Sequence, residues 1–157
     1  MPARDIIQRL SLRPHPEGGW YREIHRSATQ VQGPKGARSA VTTIYYLLER
    51  GQVSRWHVVD ADEIWHFYGG APLELASYDP ESRSLTRHVL EALGGAAEPV
   101  AVVGSGRWQA ARSLGEYSLV GCSVGPGFEF ADFRFVSSLP GHADHLADGL
   151  RGWEGLL

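Results

Sequence analysis

Between residues 20 and 136 the chain is a succession of short apolar and alternating segments cut by Gly, Pro and Asp. β-Branched and aromatic residues are concentrated in these segments, and several alternate with period two. The pattern predicts strands near 20–27, 40–49, 53–59, 63–68, 72–79, 85–90, 100–103, 107–112, 116–124 and 128–136. In Val41-Thr-Thr-Ile-Tyr-Tyr-Leu-Leu48 both faces are largely apolar, which suits a strand covered on both sides. Residues 3–10 place Ile6, Ile7 and Leu10 at helical spacing and predict a short N-terminal helix. A turn cluster follows at Pro14-His-Pro-Glu-Gly-Gly19, and a second short helix is expected in the tail His142–Leu150, after Pro140-Gly141. So many short strands indicate an all-β sandwich, jelly roll or barrel in one domain over residues 1–157.

The segment Trp56–Gly70 reads as two amphipathic strands around a polar turn, with His57 and Glu63 six positions apart. A two-residue loop would send the two side chains to opposite faces. A three-residue loop (Asp60, Ala61, Asp62) would set Val59 against Glu63 and His57 against Trp65. Arg55, His57, Val59, Glu63, Trp65 and Phe67 then share one face, and this register is the expected one. His66 falls on the other face with Trp56, Ile64 and Tyr68, a stripe that calls for another sheet or a partner subunit.

Three readings of His57 and Glu63 stand open: catalytic or ligand-binding groups in a cavity, a hydrogen-bonded structural pair, or two ligands of a metal. A metal needs further donors, and the third near neighbour, Arg55, cannot ligate a cation. Tyr21, Tyr45 and Tyr117 lie on predicted strands, where each could donate a proton into a cavity or pack as an ordinary core aromatic. His142 and His145, at i and i+3, read as surface residues without a third ligand. Gly104-Ser-Gly106 lacks the helix of a phosphate loop and reads as a tight hairpin. No Gly-x-Ser-x-Gly elbow supports a serine hydrolase.

Composition removes several other classes. A formal charge of −3, with basic residues scattered, gives no drive toward nucleic acid or an anionic membrane. The single cysteine, Cys122, rules out an internal disulfide framework and reads as a buried small hydrophobe. No apolar run reaches the ~18 residues of a membrane span, and the N-terminus carries no apolar signal core. A soluble cytoplasmic protein is expected.

Four stretches resemble the cupin superfamily, and more narrowly its cupin-5 group (DUF985). They are Pro14–Glu23, Thr42–Leu48, Trp56–Gly69 with its Asp-Glu-Ile-Trp-His-Phe-Tyr run, and Gly104–Gln109 leading to Gly121–Gly127. Together they span roughly residues 12–136. The resemblance implies a double-stranded β-helix, a small-molecule cavity inside the barrel, and a homodimer. It also implies an inward His57 and Glu63, at the second-His and Glu positions of the first cupin motif. Arg55 stands where that motif has its first His, and Gln109 where the second motif has its His. No cofactor is therefore expected, with room only for a weakly held divalent metal on His57, Glu63 and the Gln109 carbonyl.

A weaker similarity, in Ser54-Arg-Trp-His57 and Gly18–Glu23, is to the deoxysugar-nucleotide 3,5-epimerases, metal-free cupins with a strand histidine as base. It implies a metal-independent isomerase or epimerase acting on a small polar, sugar-like compound. His57 would be the general base, Glu63 a catalytic partner, and Arg55 or Gln109 the stabiliser of an enolate. Trp65, Tyr45 and Tyr117 join Arg55 and Gln109 as expected ligand contacts. The alternative is a non-catalytic binding module using the same cavity, and a metal-dependent cupin is a third reading.

Overall fold

The computed structural model describes residues 1–135. The expected tail helix, with His142 and His145, lies outside the described residues. The chain opens with helix α1 (Ala3–Arg9) and continues through β1 (Arg13–Pro14), β2 (Trp20–Arg26), β3 (Gln30–Gly33), β4 (Gly36–Ser39), β5 (Thr42–Glu49), β6 (Val53–Val58) and β7 (Asp62–Gly70). There follow β8 (Leu73–Asp79), β9 (Ser84–Leu90), β10 (Val100–Val103), β11 (Trp108–Ser113), β12 (Tyr117–Gly125), a 3-10 turn (Phe130–Asp132) and β13 (Arg134–Phe135). Two antiparallel sheets form the barrel: β1-β2-β5-β12-β7-β10 and β13-β6-β11-β8-β9. This is the all-β jelly-roll arrangement expected from the pattern. Two features were not in that expectation. The small β3–β4 hairpin stands apart as its own sheet, and of the strand expected at 128–136 the described part is loop and 3-10 turn through Phe133, with β13 at Arg134–Phe135.

The inner faces carry the main core. Leu48, Trp65, Leu73, Leu75, Ala111, Val120 and Cys122 interdigitate between the sheets, each essentially excluded from solvent. Helix α1 covers the outer face of the larger sheet, where Ile6 and Leu12 pack on Leu47 with Trp20, Tyr45, Tyr117 and Leu119. The outer face of the smaller sheet holds Trp56, Val58, Ala76, Tyr78, Trp108 and Ala110. Trp56 and the Ile64–His66–Tyr68 stripe thus belong to outer faces of different sheets.

The turn after His57 is a corner between sheets, contrary to the expected hairpin. β6 pairs with β11 and β13, whereas β7 pairs with β12 and β10. Residues 59–61 carry the chain across the barrel, and Asp62 caps the corner by accepting the Ser105 backbone N–H (3.0 Å). Residues 104–107 form the matching corner from β10 to β11, so Gly104-Ser-Gly106 is not a hairpin either. His57 and Glu63 still both face inward, but from opposite walls.

The β1–β2 turn, His15–Gly19, reaches across to β6. The Arg55 N–H donates to the Glu17 carbonyl, and the Tyr46 hydroxyl donates to the Gly18 carbonyl (2.6 Å). Gly18 has φ +109°, and a Cβ there would stand 2.2 Å from the Val53 carbonyl oxygen. Backbone in this region is open to glycine and strained for other residues. Gly18→Ala is therefore expected to lower the unfolding free energy by ~1–3 kcal/mol. Scanning calorimetry checks this, and an unchanged melting temperature would show that the turn yields without cost.

Candidate functional site

Packing of the two sheets leaves a cavity of about 90 Å³ at one end of the barrel. On the same measure a single water needs ~10–15 Å³. His15, Glu17, His57 and Glu63, with Thr42 and with Arg13 and Glu23 at the rim, supply its polar groups. Ile44, Val59, Val124, Phe128, Phe130 and Phe133 supply most of the apolar surface.

A β-bulge on β6 decides which side chains reach this space. His57 is level with Gln109 and Ser54 with Ala111, so Arg55 and Trp56 together oppose the single residue Ala110. The extra residue reverses the alternation. Ser54 and His57 both point inward although their parity differs, while Arg55 is turned out. Its guanidinium donates to the Pro16 carbonyl (3.2 Å) on the outside of the turn. Arg55 therefore does not share the face of His57, and the period-two expectation fails on β6.

His57 is 2% exposed and held at both nitrogens. Nδ1 lies 2.7 Å from the Arg55 carbonyl, which only accepts, so Nδ1 carries a proton. Nε2 lies 3.3 Å from Glu17 Oε2. The other Glu17 oxygen accepts the Ser54 hydroxyl (3.0 Å). Bare Nε2 and a bare carboxylate would face each other as two acceptors, so one proton is shared between them. Burial pushes the Glu17 carboxyl up and the His57 imidazole down, with Glu63 opposing the latter shift, and both shifts favour the neutral pair over the ion pair. His15 completes the turn by accepting the Glu17 N–H at Nδ1 (3.0 Å), and burial also lowers its pKa.

Glu63 enters from β7, on the opposite wall. The Trp65 indole N–H donates to Gln109 Oε1 (3.0 Å), and Gln109 Nε2 donates to Glu63 Oε2 (2.5 Å). An indole can only donate and a carboxylate can only accept, which fixes the amide orientation. Burial pushes the Glu63 carboxyl up to about 7, against the pull of His57. Cys122, beside Glu63, is kept a thiol by burial and by the neighbouring carboxyls.

Not every expected site residue lies at the cavity. Trp65 and Gln109 sit behind Glu63 in the core, where they hold its carboxyl. Tyr45 and Tyr117 lie on the outer face of the larger sheet, Tyr45 against Tyr68 and beneath the Arg22 guanidinium. The adjacent Tyr46 points inward instead, and Tyr21 lines the cavity mouth. Glu17 and His15, read from sequence only as turn residues, are central. Their one signal was an acid and a histidine inside a turn cluster that also carried the cupin resemblance.

The cavity is closed by residues 126–133, strapped down by ion pairs. Arg38 pairs with Asp132 and donates to the Gly127 carbonyl (2.7 Å). Lys35 bridges Asp132 (3.4 Å) and Asp60 (3.5 Å), and Arg26 pairs with Glu129 (2.9 Å). Lys35 lies in the β3–β4 turn and Arg38 on β4, so the hairpin missed from sequence anchors the cover. Phe133 stacks on the His57 ring, with centroids 4.9 Å apart and 20° between planes.

A jelly-roll barrel with a histidine and a glutamate inside one end defines a cupin. The chain belongs to the family described as Cupin superfamily (DUF985), whose model matches residues 4–136. It is similar in structure to a hypothetical protein from Leishmania major (31% identity, 99% of this chain and 96% of that one, TM-score 0.82). It is likewise similar to a protein of Shewanella oneidensis (36% identity, 94% of each chain, TM-score 0.80). The oxalate decarboxylase of Lactobacillus farciminis shares the fold alone (13% identity, 89% of this chain and 38% of that one, TM-score 0.58). Among curated proteins none matches.

The donors do not fit the metal centre of metal-binding cupins. Of the four motif positions, Arg55 is outside and has no lone pair to give, and the Gln109 carbonyl is engaged by Trp65. Among the described residues no three His, Cys, Asp or Glu side chains are arranged to hold a metal ion.

A carboxyl with a raised folded-state pKa stabilises the fold while protonated, and that contribution is lost as pH rises. For Glu63 the window runs from about 4.5 to about 7. His57, with its lowered pKa, acts in the opposite sense, so the comparison needs a variant. Between pH 5 and pH 8, Glu63→Gln should gain up to ~3 kcal/mol of unfolding free energy relative to the wild type. Urea denaturation at a series of pH values measures this, and parallel pH profiles would contradict it.

Proposed function

We propose that the cavity performs metal-independent proton transfer on a small carbonyl compound, as an isomerase or epimerase-like enzyme with His57 as general base. The observation that carries this reading is the placement of His57 and Glu63 on facing walls of one cavity, with Glu63 at about 7. General acid–base catalysis works best with pKa values near the operating pH, and two titratable groups on opposite walls allow one to take a proton while the other returns one.

Substrate binding displaces the shared proton from between Glu17 and His57 to solvent, and Nε2 is then free to take the proton α to a carbonyl. The Arg55 carbonyl on Nδ1–H and the Glu17 carboxylate beside Nε2 then stabilise the imidazolium. Glu63, partly protonated near neutral pH, protonates the carbanion or the enolate oxygen. Gln109 and Trp65 position Glu63 and do not touch the reacting atoms. The apolar share of the wall favours a compound with fewer hydroxyl groups than a sugar.

His15, Glu17 and Glu63 accompany His57 in the cavity and supply the second titratable group that an acid–base reaction needs. Incubation with glyceraldehyde, dihydroxyacetone and hydroxyacetone in D2O, followed by NMR, checks the reading. The wild type should exchange an α-proton of at least one compound, EDTA should leave the rate unchanged, and His57→Asn should lower it ~10²–10⁴-fold. Absence of exchange, or equal exchange by His57→Asn, would instead indicate a non-catalytic binding module.

A further inference from the structure

The charge pattern of the cavity restricts what can enter it. Its interior presents the carboxyls of Glu17 and Glu63, each less than one-tenth exposed. Among the lining residues the only arginine or lysine is Arg13, an exposed side chain at the mouth that is stacked over the Tyr21 ring (5.2 Å). Glu23, also at the rim, is paired with Arg26 (3.0 Å). An anionic ligand would thus meet two buried carboxyls and no buried cation. A polyhydroxylated ligand would leave most of its hydroxyls against Ile44, Val124, Phe128 and Phe130.

We propose that this cavity takes a small organic cation, an ammonium group on a short hydrocarbon body, with the ammonium held between Glu17 and Glu63. The inference rests on the same cavity as the proposed reaction and names the charge class of its substrate. A buried cation is tolerated where a carboxylate pairs with it, and the hydrocarbon body finds apolar wall on the remaining sides. Binding ionises Glu17, whose proton leaves the site, while Glu63 keeps its own proton and accepts from the ammonium through its carbonyl oxygen. Glu17 is faced by His15, His57, Ser54 and Tyr46, with the Arg55 guanidinium acting on it from outside, and Glu63 by His57, Glu17, Cys122 and Gln109.

Calorimetric titration of the full chain with n-butylamine, n-butanol and butyrate tests the inference with compounds that have no carbonyl chemistry. The amine should bind at least tenfold more tightly than the alcohol, and butyrate should show no saturable binding. At pH 6.5 the amine's binding enthalpy should vary with the ionisation enthalpy of the buffer, reporting proton release. Glu17→Gln, checked for an unchanged circular dichroism spectrum, should bind the amine at least tenfold more weakly. Butyrate or butanol binding as tightly as the amine, no saturable amine binding at millimolar concentration, or full amine affinity in Glu17→Gln would each overturn it. Amine binding without α-proton exchange would keep this inference and remove the reaction, so the two fail separately.

Discussion

Two carboxyls and an imidazole have to share a low-dielectric interior, and the rest of the site follows from how they are kept satisfied. An unpaired buried charge costs several kcal/mol, so such groups either pair, shift toward neutrality, or both. Here Glu17 and His57 share a proton across 3.3 Å, while Glu63 is held by Gln109 and pushed to about 7. Each partner has a structural source. The bulge in β6 brings Ser54 and His57 inward together, and Gly18 lets the turn press Glu17 against them. Trp65 orients Gln109 from the core.

The same constraint shapes what stands at the four positions that carry metal ligands in metal-binding cupins. In a metal cupin a cation gathers inward donors and sets their charge. In this chain two of the four positions have other duties: Arg55 braces the turn from outside, and Gln109 links the core indole to a carboxyl. The acid on the β1–β2 turn takes up the space beside His57 instead. A site whose charge is set by shared protons is suited to moving protons, and its aromatic cover limits the entry of water.

Much of the fold could be read from the chain, because the strands carry period-two patterns and turn residues mark their ends. The main β-segments fall within a few residues of the expected positions. Failures arose where local pattern carries no information about pairing. The corner at 59–61 looks like a hairpin turn because both kinds of connection use short polar residues, and only the sheet topology separates them. Arg55 was placed inward by alternation that the bulge reverses. Tyr45 and Tyr46 are chemically alike neighbours of opposite parity, and nothing local says which one faces the core. Glu17 escaped notice because a turn residue acquires its role only from the strand it lands on, 37 positions further along the chain at Ser54. The β3–β4 hairpin is polar and short, so no hydrophobic pattern announces it.

The central claim is that His57 carries its proton on Nδ1 and turns an unprotonated Nε2 toward Glu17. Long-range 1H–15N NMR of histidine-labelled protein near pH 7, with His57 assigned by comparison with His57→Asn, tests this most directly. The account predicts the Nδ1–H tautomer, with Nε2 at the shift of an unprotonated ring nitrogen that accepts a hydrogen bond. An Nε2–H tautomer with a bare Nδ1 would contradict it.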